Sequence, residues 1–388
     1  EITDADFDFD RNSTGTRVNE DYFIETVATN TPRIDYTNGE PSILLEPSRT
    51  NSNTYSSDFT QTYWTKQNSI TVSSNQTTSP EGIVNADKLV SANATSEQYL
   101  DNTSISTSSG DDITVSCFVK KLDYDYFHIR FTGVGGVFTA ASVWYNIDNG
   151  TLGTVESGIT AKIEDYGNGW YRCSATRTAT GTGNGKIRLQ LASSDNSANV
   201  VGDGTKGTFI YGAQWEVGSS ATSLIDTSGS TVTRSADAPS GAGSNDLINS
   251  SEGVLYAEIG ALEDDLTFRV LSVSDGSNDN TVKFGYRSDS NRIYAEVRSG
   301  SSSQAFLSYD VSDITDFHKV AVKYKVNDFA LWVDGVERAT DTSGSVSIGL
   351  NTARFDNGGG ANDFYGKVKV LAVFKEALTD AELTTLTS

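Results

Sequence analysis

The sequence predicts an all-β protein made of two tandem β-sandwiches and closed by a short C-terminal helix. Three observations predict it. Apolar and polar residues alternate at period two through most of the chain, as half-buried strands require. Aromatic residues reach 10% although apolar residues total only 36%, a share that argues for packed cores and against disorder. The length of 388 residues is enough for two separate cores.

The elements follow in order. Residues 1–50 read as an extended N-terminal segment packing on the first sandwich, which occupies 51–237. Within it, "YFHIRFTG" sets Phe127, Ile129 and Phe131 on one face and Tyr126, His128 and Arg130 on the other. "SVWYNIDNGTLGTV" sets Val143, Tyr145 and Ile147 inward and Trp144, Asn146 and Asp148 outward, then turns at Asn149-Gly150. "KIRLQLA" sets Ile187, Leu189 and Leu191 against Arg188 and Gln190. The composition breaks at "TRSADAPSGAGSNDLINSSEG", where Pro239 and a Gly/Ser/Ala cluster mark a linker over 238–250. The second sandwich takes 251–388. There "HKVAVKYKVNDFALWVDGVERAT" reads as three strands turned at Asn327-Asp328 and Asp334-Gly335. Thr379 with Glu382 three residues on forms a capping box that opens the closing helix.

Charge and composition exclude some partners. The net charge is −22, from 29 basic and 51 acidic residues. Nucleic acid and anionic membrane are poor partners for such a surface. No run of 18 apolar residues occurs, so no membrane-inserting segment is read. The opening residues lack both a positive n-region and an apolar core, so no signal peptide is read there either. A chain that opens on Glu1 and contains no Met reads as starting inside a longer or processed product. Cys117 and Cys173 each fall on the apolar face of a strand, which suggests buried thiols, with a disulfide as the alternative.

Several separated motifs then occur in a familiar order. "RNSTGTRV", "NTPRIDY" and "LLEPSRTN" open the chain, "GNGWYR" spans 167–172, and "GAQWEVGSSATS" (212–223) precedes "TVTRSAD" (231–237). Over 11–237 this pattern resembles a family of bacteriophage and prophage virion surface proteins, tail-fibre-like, with a jelly roll similar to carbohydrate-binding modules. Trp215 departs from it, because that position is usually aliphatic. "FALWVDGVER" and "FYGKVKVLAVFKEALTDAELTTL" resemble a laminin G-like, concanavalin A-like lectin domain over 251–388. The first resemblance implies a virion-surface location, on a tail fibre or capsid exterior. It also implies other virion proteins and a host-surface polysaccharide or other glycan as partners, with a homo-oligomer, a trimer first, giving avidity. Both resemblances leave room for structural calcium, and no other cofactor is implied.

Is there an active site? "VLYAEIGALEDD" places Glu258 and Glu263 in a strand resembling the catalytic strand of laminarinase-type hydrolases. Gly260 stands where those enzymes have the Asp that orients the nucleophile. Residues five apart also point to opposite faces of a regular strand, whereas a retaining pair must sit about 5–5.5 Å apart. No catalytic residue is therefore assigned. His128 and His318 are the only histidines, and no His/Cys spacing suits zinc. "SDGSNDN" (274–280) has calcium-like oxygen density without the spacing of a known loop. No metal ligand is assigned.

Sugars offer flat C–H faces to aromatic rings and hydroxyls to polar side chains. The candidate glycan face is therefore Tyr126, His128, Arg130, Trp144, Asn146, Arg188 and Gln190, with Trp332 as a second platform. The alternative is that this face packs on the N-terminal segment or on another subunit. Trp64, Trp170 and Trp215 read as core. The expected function is non-catalytic host-receptor or glycan attachment. A structural adaptor or capsid decoration protein is the runner-up, and a polysaccharide-degrading enzyme is the third reading.

Overall fold

A computed structural model describes residues 7–37 and 39–388; residues 1–6, part of the stretch inspected for a signal peptide, lie outside them. The described residues are all-β, with antiparallel sheets and one short helix, Asp380–Thr387.

In the first sandwich one sheet runs Thr151–Val155, Ala141–Asn146, Tyr126–Val134, Gly183–Ala192, Tyr99–Asp101, Thr65–Gln67. The facing sheet runs Thr160–Asp165, Trp170–Thr178, Asp112–Lys120, Gly207–Val217, Val84–Val90, Thr71–Thr78. Phe127, Ile129, Phe131, Leu189 and Leu191 from one meet Val115, Cys117 and Val119 from the other in a common core. Trp64 and Trp215 are fully enclosed in it, while Trp170 joins a smaller core with Phe118 and Tyr211. Cys117 and Cys173 lie directly opposite each other on neighbouring strands as buried free thiols. Burial pushes the Cys117 thiol up to about 12, so neither sulfur is a ready nucleophile.

The second sandwich sets the strands Val336–Asp341, Asp328–Val333, His318–Lys325, Glu252–Ala261 and Gly366–Phe374 against a five-stranded sheet. That sheet runs Ser302–Asp310, Arg292–Ser299, Thr281–Tyr286, Arg269–Ser274, Thr352–Arg354. The turn before Asp328 uses Val326 and Asn327, one residue earlier than the sequence predicts, because Asn327 takes the left-handed conformation at φ 57°. Thr379 caps the closing helix as expected, with Glu382 bonding back to its backbone.

The N-terminal segment does more than pack on the first sandwich. Its hairpin Gly15–Val18/Ile24–Val27 seals the small core around Trp170 and Phe118. Farther on, Ser42–Leu45 pairs with Gly366–Phe374, and Leu45 enters the core of the second sandwich. The edge of that strand has free N–H and C=O groups that need a partner, and the N-terminal segment supplies it. The stretch read as a linker is also tied down. Ala238–Ser240 pairs with Asp8–Asp10, Ala242 bridges Ala353, and Ile248 is buried.

A buried ionic cluster holds these crossings together. Arg11 donates to Asp237 at 3.0 Å, and Arg33 bonds both Asp237 and, at 2.6 Å, Glu46. Arg234 reaches Glu46 at 2.8 Å. All five side chains are at most 3% exposed. Burial alone would raise the Glu46 carboxyl; Arg234, Arg33 and two bonds from Ser223 overcome it and hold the group far below its ordinary 4.5. These five residues come from the motifs that open and close the 11–237 pattern. In this chain those motifs build the junction between the sandwiches.

Candidate functional site

The three strands of the candidate face share one sheet, and their outward residues fall in register. His128 lies opposite Trp144 and Gln190, Tyr126 opposite Asn146, and Arg130 opposite Arg188. The availability of this face is corrected by the structure. The turn 193–199 folds back over its centre, where Trp144 donates Nε1–H to the Ser197 carbonyl at 3.0 Å and Gln190 donates to Ala198. Trp144 is 4% exposed and stacks on His128, centroids 4.3 Å apart and rings 8° from parallel. His128 and Gln190 are fully buried. Burial first, then Arg130 and Arg188, press the His128 ring down to about 3, so it is neutral at ordinary pH. Only the flank stays open. Arg188 lies over Tyr99 at 4.0 Å, bonds Asp101 at 3.2 Å and shares Glu97 with Arg130. Tyr126 and Asn146, half-buried, bond each other at 3.2 Å.

Trp332 is corrected too. It is 5% exposed and lies under the C-terminal helix with Leu383, Val254 and Tyr256, so it belongs to a core. The capping box was legible, but not the surface on which the helix would close.

The two carboxylates of the look-alike strand are each held by a lysine. Glu258 meets Lys369 at 3.1 Å, and Glu263 meets Lys162 of the first sandwich at 2.7 Å. The strand carries a bulge between Glu258 and Ile259. Glu263 lies beyond the strand end at Ala261, in the loop that leans on the first sandwich. The 274–280 loop is closed by its own hydrogen bonds. Both Asp275 oxygens are engaged inside the loop, by the Ser277 amide and hydroxyl and by Asn280. Among the described residues no group of three or more His, Cys, Asp or Glu is placed to hold a metal ion.

Two features that sequence reasoning did not single out remain. A cleft of about 310 Å³ opens between the sandwiches, lined by Asp35, Lys162, Glu164, Arg172, Leu262 and Lys367. Its lysines are committed, Lys162 to Glu263 and Lys367 to Asp35 at 2.9 Å. The other feature is the outer face of the five-stranded sheet. Phe306 is 46% and Phe268 38% exposed, while Tyr294 between them is buried. Tyr294 stacks on Phe306 with centroids 5.9 Å apart and meets the edge of Phe268 at 6.0 Å. The Arg287 guanidinium lies 5.0 Å from the Phe306 ring centre and 5.8 Å from each of the other two. Leu266, half exposed, adjoins in sequence and holds a left-handed φ of 58°, a conformation costly for a residue of its bulk. Along the next row Glu296 faces Phe306 and Lys283 across the strands and takes ion pairs from Lys283 at 3.0 Å and Arg298 at 3.1 Å. The signal for this face was present in "SQAFLSYD", where Phe306 falls on the polar side between Ala305 and Leu307.

Comparison with known proteins bears on the second sandwich. No curated protein matches the chain. Among solved structures, domains LG4-5 of the mouse laminin alpha1 chain align over 85% of this chain and 89% of that one, at 11% identity and a TM-score of 0.24. Residues 248–384 match the family described as the Concanavalin A-like lectin/glucanases superfamily, of laminin G type. The second sandwich is thus a concanavalin A-like, laminin G-type domain, a class that suggests glycan or ligand binding.

Proposed function

We propose that the protein is a non-catalytic attachment protein that holds a host-surface glycan on the outer face of its second sandwich. The observation that carries this reading is the exposed pair Phe268 and Phe306, set around Arg287 on a rigid sheet of a lectin-class domain. Rings fixed on strands offer stacking area at little entropic cost. The lysine partners of Glu258 and Glu263 support the absence of hydrolysis. The motif pattern over 11–237 supports a place on a virion surface, beside other virion proteins and in a homo-oligomer. One observation favours a structural role for the first sandwich itself: its candidate face is covered, and the motif residues Arg11, Arg33, Glu46, Arg234 and Asp237 are spent on the junction. A glycan array probed with the intact chain and with Phe306→Ala tests the reading. Binding that the variant lacks is expected. Equal binding by both would move the site elsewhere.

A further inference from the structure

We propose that the glycan held on this face is acidic, with carboxylates on its pyranose rings, and that Arg287 reads the acid. This rests on the attachment reading above and names the ligand of the same site. Arg287 lies among aromatic faces and makes no hydrogen bond among the described residues. Among the described residues its carboxylate partner is Asp289, an ion pair with Oδ2 3.6 Å from Nε and beyond hydrogen-bond reach, so the buried Nε has no hydrogen-bond partner. Neighbouring arginines differ. Arg292 grips Asp310 with two bonds of 2.6 and 3.1 Å, and Arg298 is spent on Glu296, the Asn278 carbonyl and the Ser301 carbonyl. Arg287 thus presents a fork oriented by three rings whose donors make no hydrogen bond among the described residues. A carboxylate accepts two parallel N–H groups from such a fork, which an ammonium cannot offer. The two exposed rings meanwhile take the C–H face of the sugar that bears the acid.

Charge sets the balance. The chain carries −22, which opposes the approach of any anionic polymer. That opposition is screened over roughly 8–10 Å in physiological salt, whereas the contact acts at hydrogen-bond distance. Around Arg287, Glu296 and Asp289 each serve two cations, Glu296 pairing with Lys283 and Arg298 and Asp289 with Arg287 and Arg292. Affinity then comes from contact and not from steering.

The test is retention of the intact chain in affinity gels containing alginate (carboxylated), kappa-carrageenan (sulfated) or laminarin (neutral), with melting transitions confirming that each variant is folded. Alginate should retain the chain most. Arg287→Gln should weaken that retention roughly tenfold to a hundredfold and leave any laminarin retention unchanged. Arg287→Lys, which keeps the charge and loses the fork, should also weaken it. Phe306→Ala should weaken retention in every gel that retains the chain. Laminarin or carrageenan holding the chain as tightly as alginate, or alginate retention indifferent to Arg287→Gln, would overturn the carboxylate assignment while leaving the ring site standing. Full retention by Arg287→Lys would overturn the forked contact. Retention in none of the three gels would overturn the glycan reading itself.

Discussion

Replacing Asp237 with Asn keeps the shape of the side chain and removes one buried charge. Its Oδ1 takes the Arg11 bond, and its Oδ2 takes Arg33 and, at 2.8 Å, the Glu46 amide. Both arginine side chains are fully enclosed, so water cannot replace the lost charge. Breaking one partner of a buried pair costs roughly 3–5 kcal/mol, a large part of the ~5–15 kcal/mol that folded proteins hold in reserve. The loss should not stay local. The same cluster fixes the segment that donates Ser42–Leu45 to the second sandwich. Urea unfolding followed by hydrogen exchange, peptide by peptide, reads both halves of the chain at once. Asp237→Asn should move the first sandwich and the Gly366–Phe374 strand to lower urea together. A change below about 1 kcal/mol, or a shift confined to the first sandwich, would refute the view that this cluster binds the two into one unit.

Trp144→Ala should lower stability by roughly 3–5 kcal/mol, as for other buried aromatic residues, while the folded fraction keeps its ligand; loss of binding with an unchanged melting temperature would restore the first sandwich as the site. His128 gives a pH window. Its folded value is near 3 against an ordinary 6.5, so the unfolded chain takes up the proton first and stability, full above pH 6.5, falls by roughly 2 kcal/mol by pH 5. His128→Phe, which keeps the stack on Trp144, should flatten stability between pH 6.5 and 4.5; an unchanged slope there contradicts the assignment. The depressed Glu46 group contributes stability that is present above pH 4.5 and lost as pH falls below it, and this loss should persist in the His128 variant. Thiol titration should find both cysteines unreactive in the native chain and two free thiols after denaturation without reductant; an oxidised pair in protein kept reduced throughout would contradict their assignment.

How far the sequence could be read follows from the range of each interaction. Period-two alternation is local, so the inward rows Phe127, Ile129, Phe131 and Ile187, Leu189, Leu191 and the outward side of Arg130 and Arg188 were legible, whereas the register that sets Arg130 opposite Arg188 was not. Whether an outward residue meets solvent depends on what folds back over it. The turn that covers Trp144 and the helix that covers Trp332 left no mark in the alternation. The strand given by Ser42–Leu45 was hidden for the same reason, because its partner lies more than 300 residues away. Arginines carry an exposed prior, which concealed Arg11, Arg33 and Arg234 as the inside of a junction. Phe306 was the reverse case: its place on the polar side of an alternating strand was visible, but its weight came only when Phe268, Tyr294 and Arg287 were seen around it.

Glycan attachment through the second sandwich is tested most directly by where a bound sugar is felt. With the phenylalanine rings of the chain carbon-13 labelled and Phe268 and Phe306 assigned by substitution, alginate fragments should shift those two ring resonances first and in a saturable way. The resonances of Phe127 and Phe131, in the core of the first sandwich, should stay unmoved. Saturable shifts confined to the phenylalanine rings of the first sandwich would contradict it.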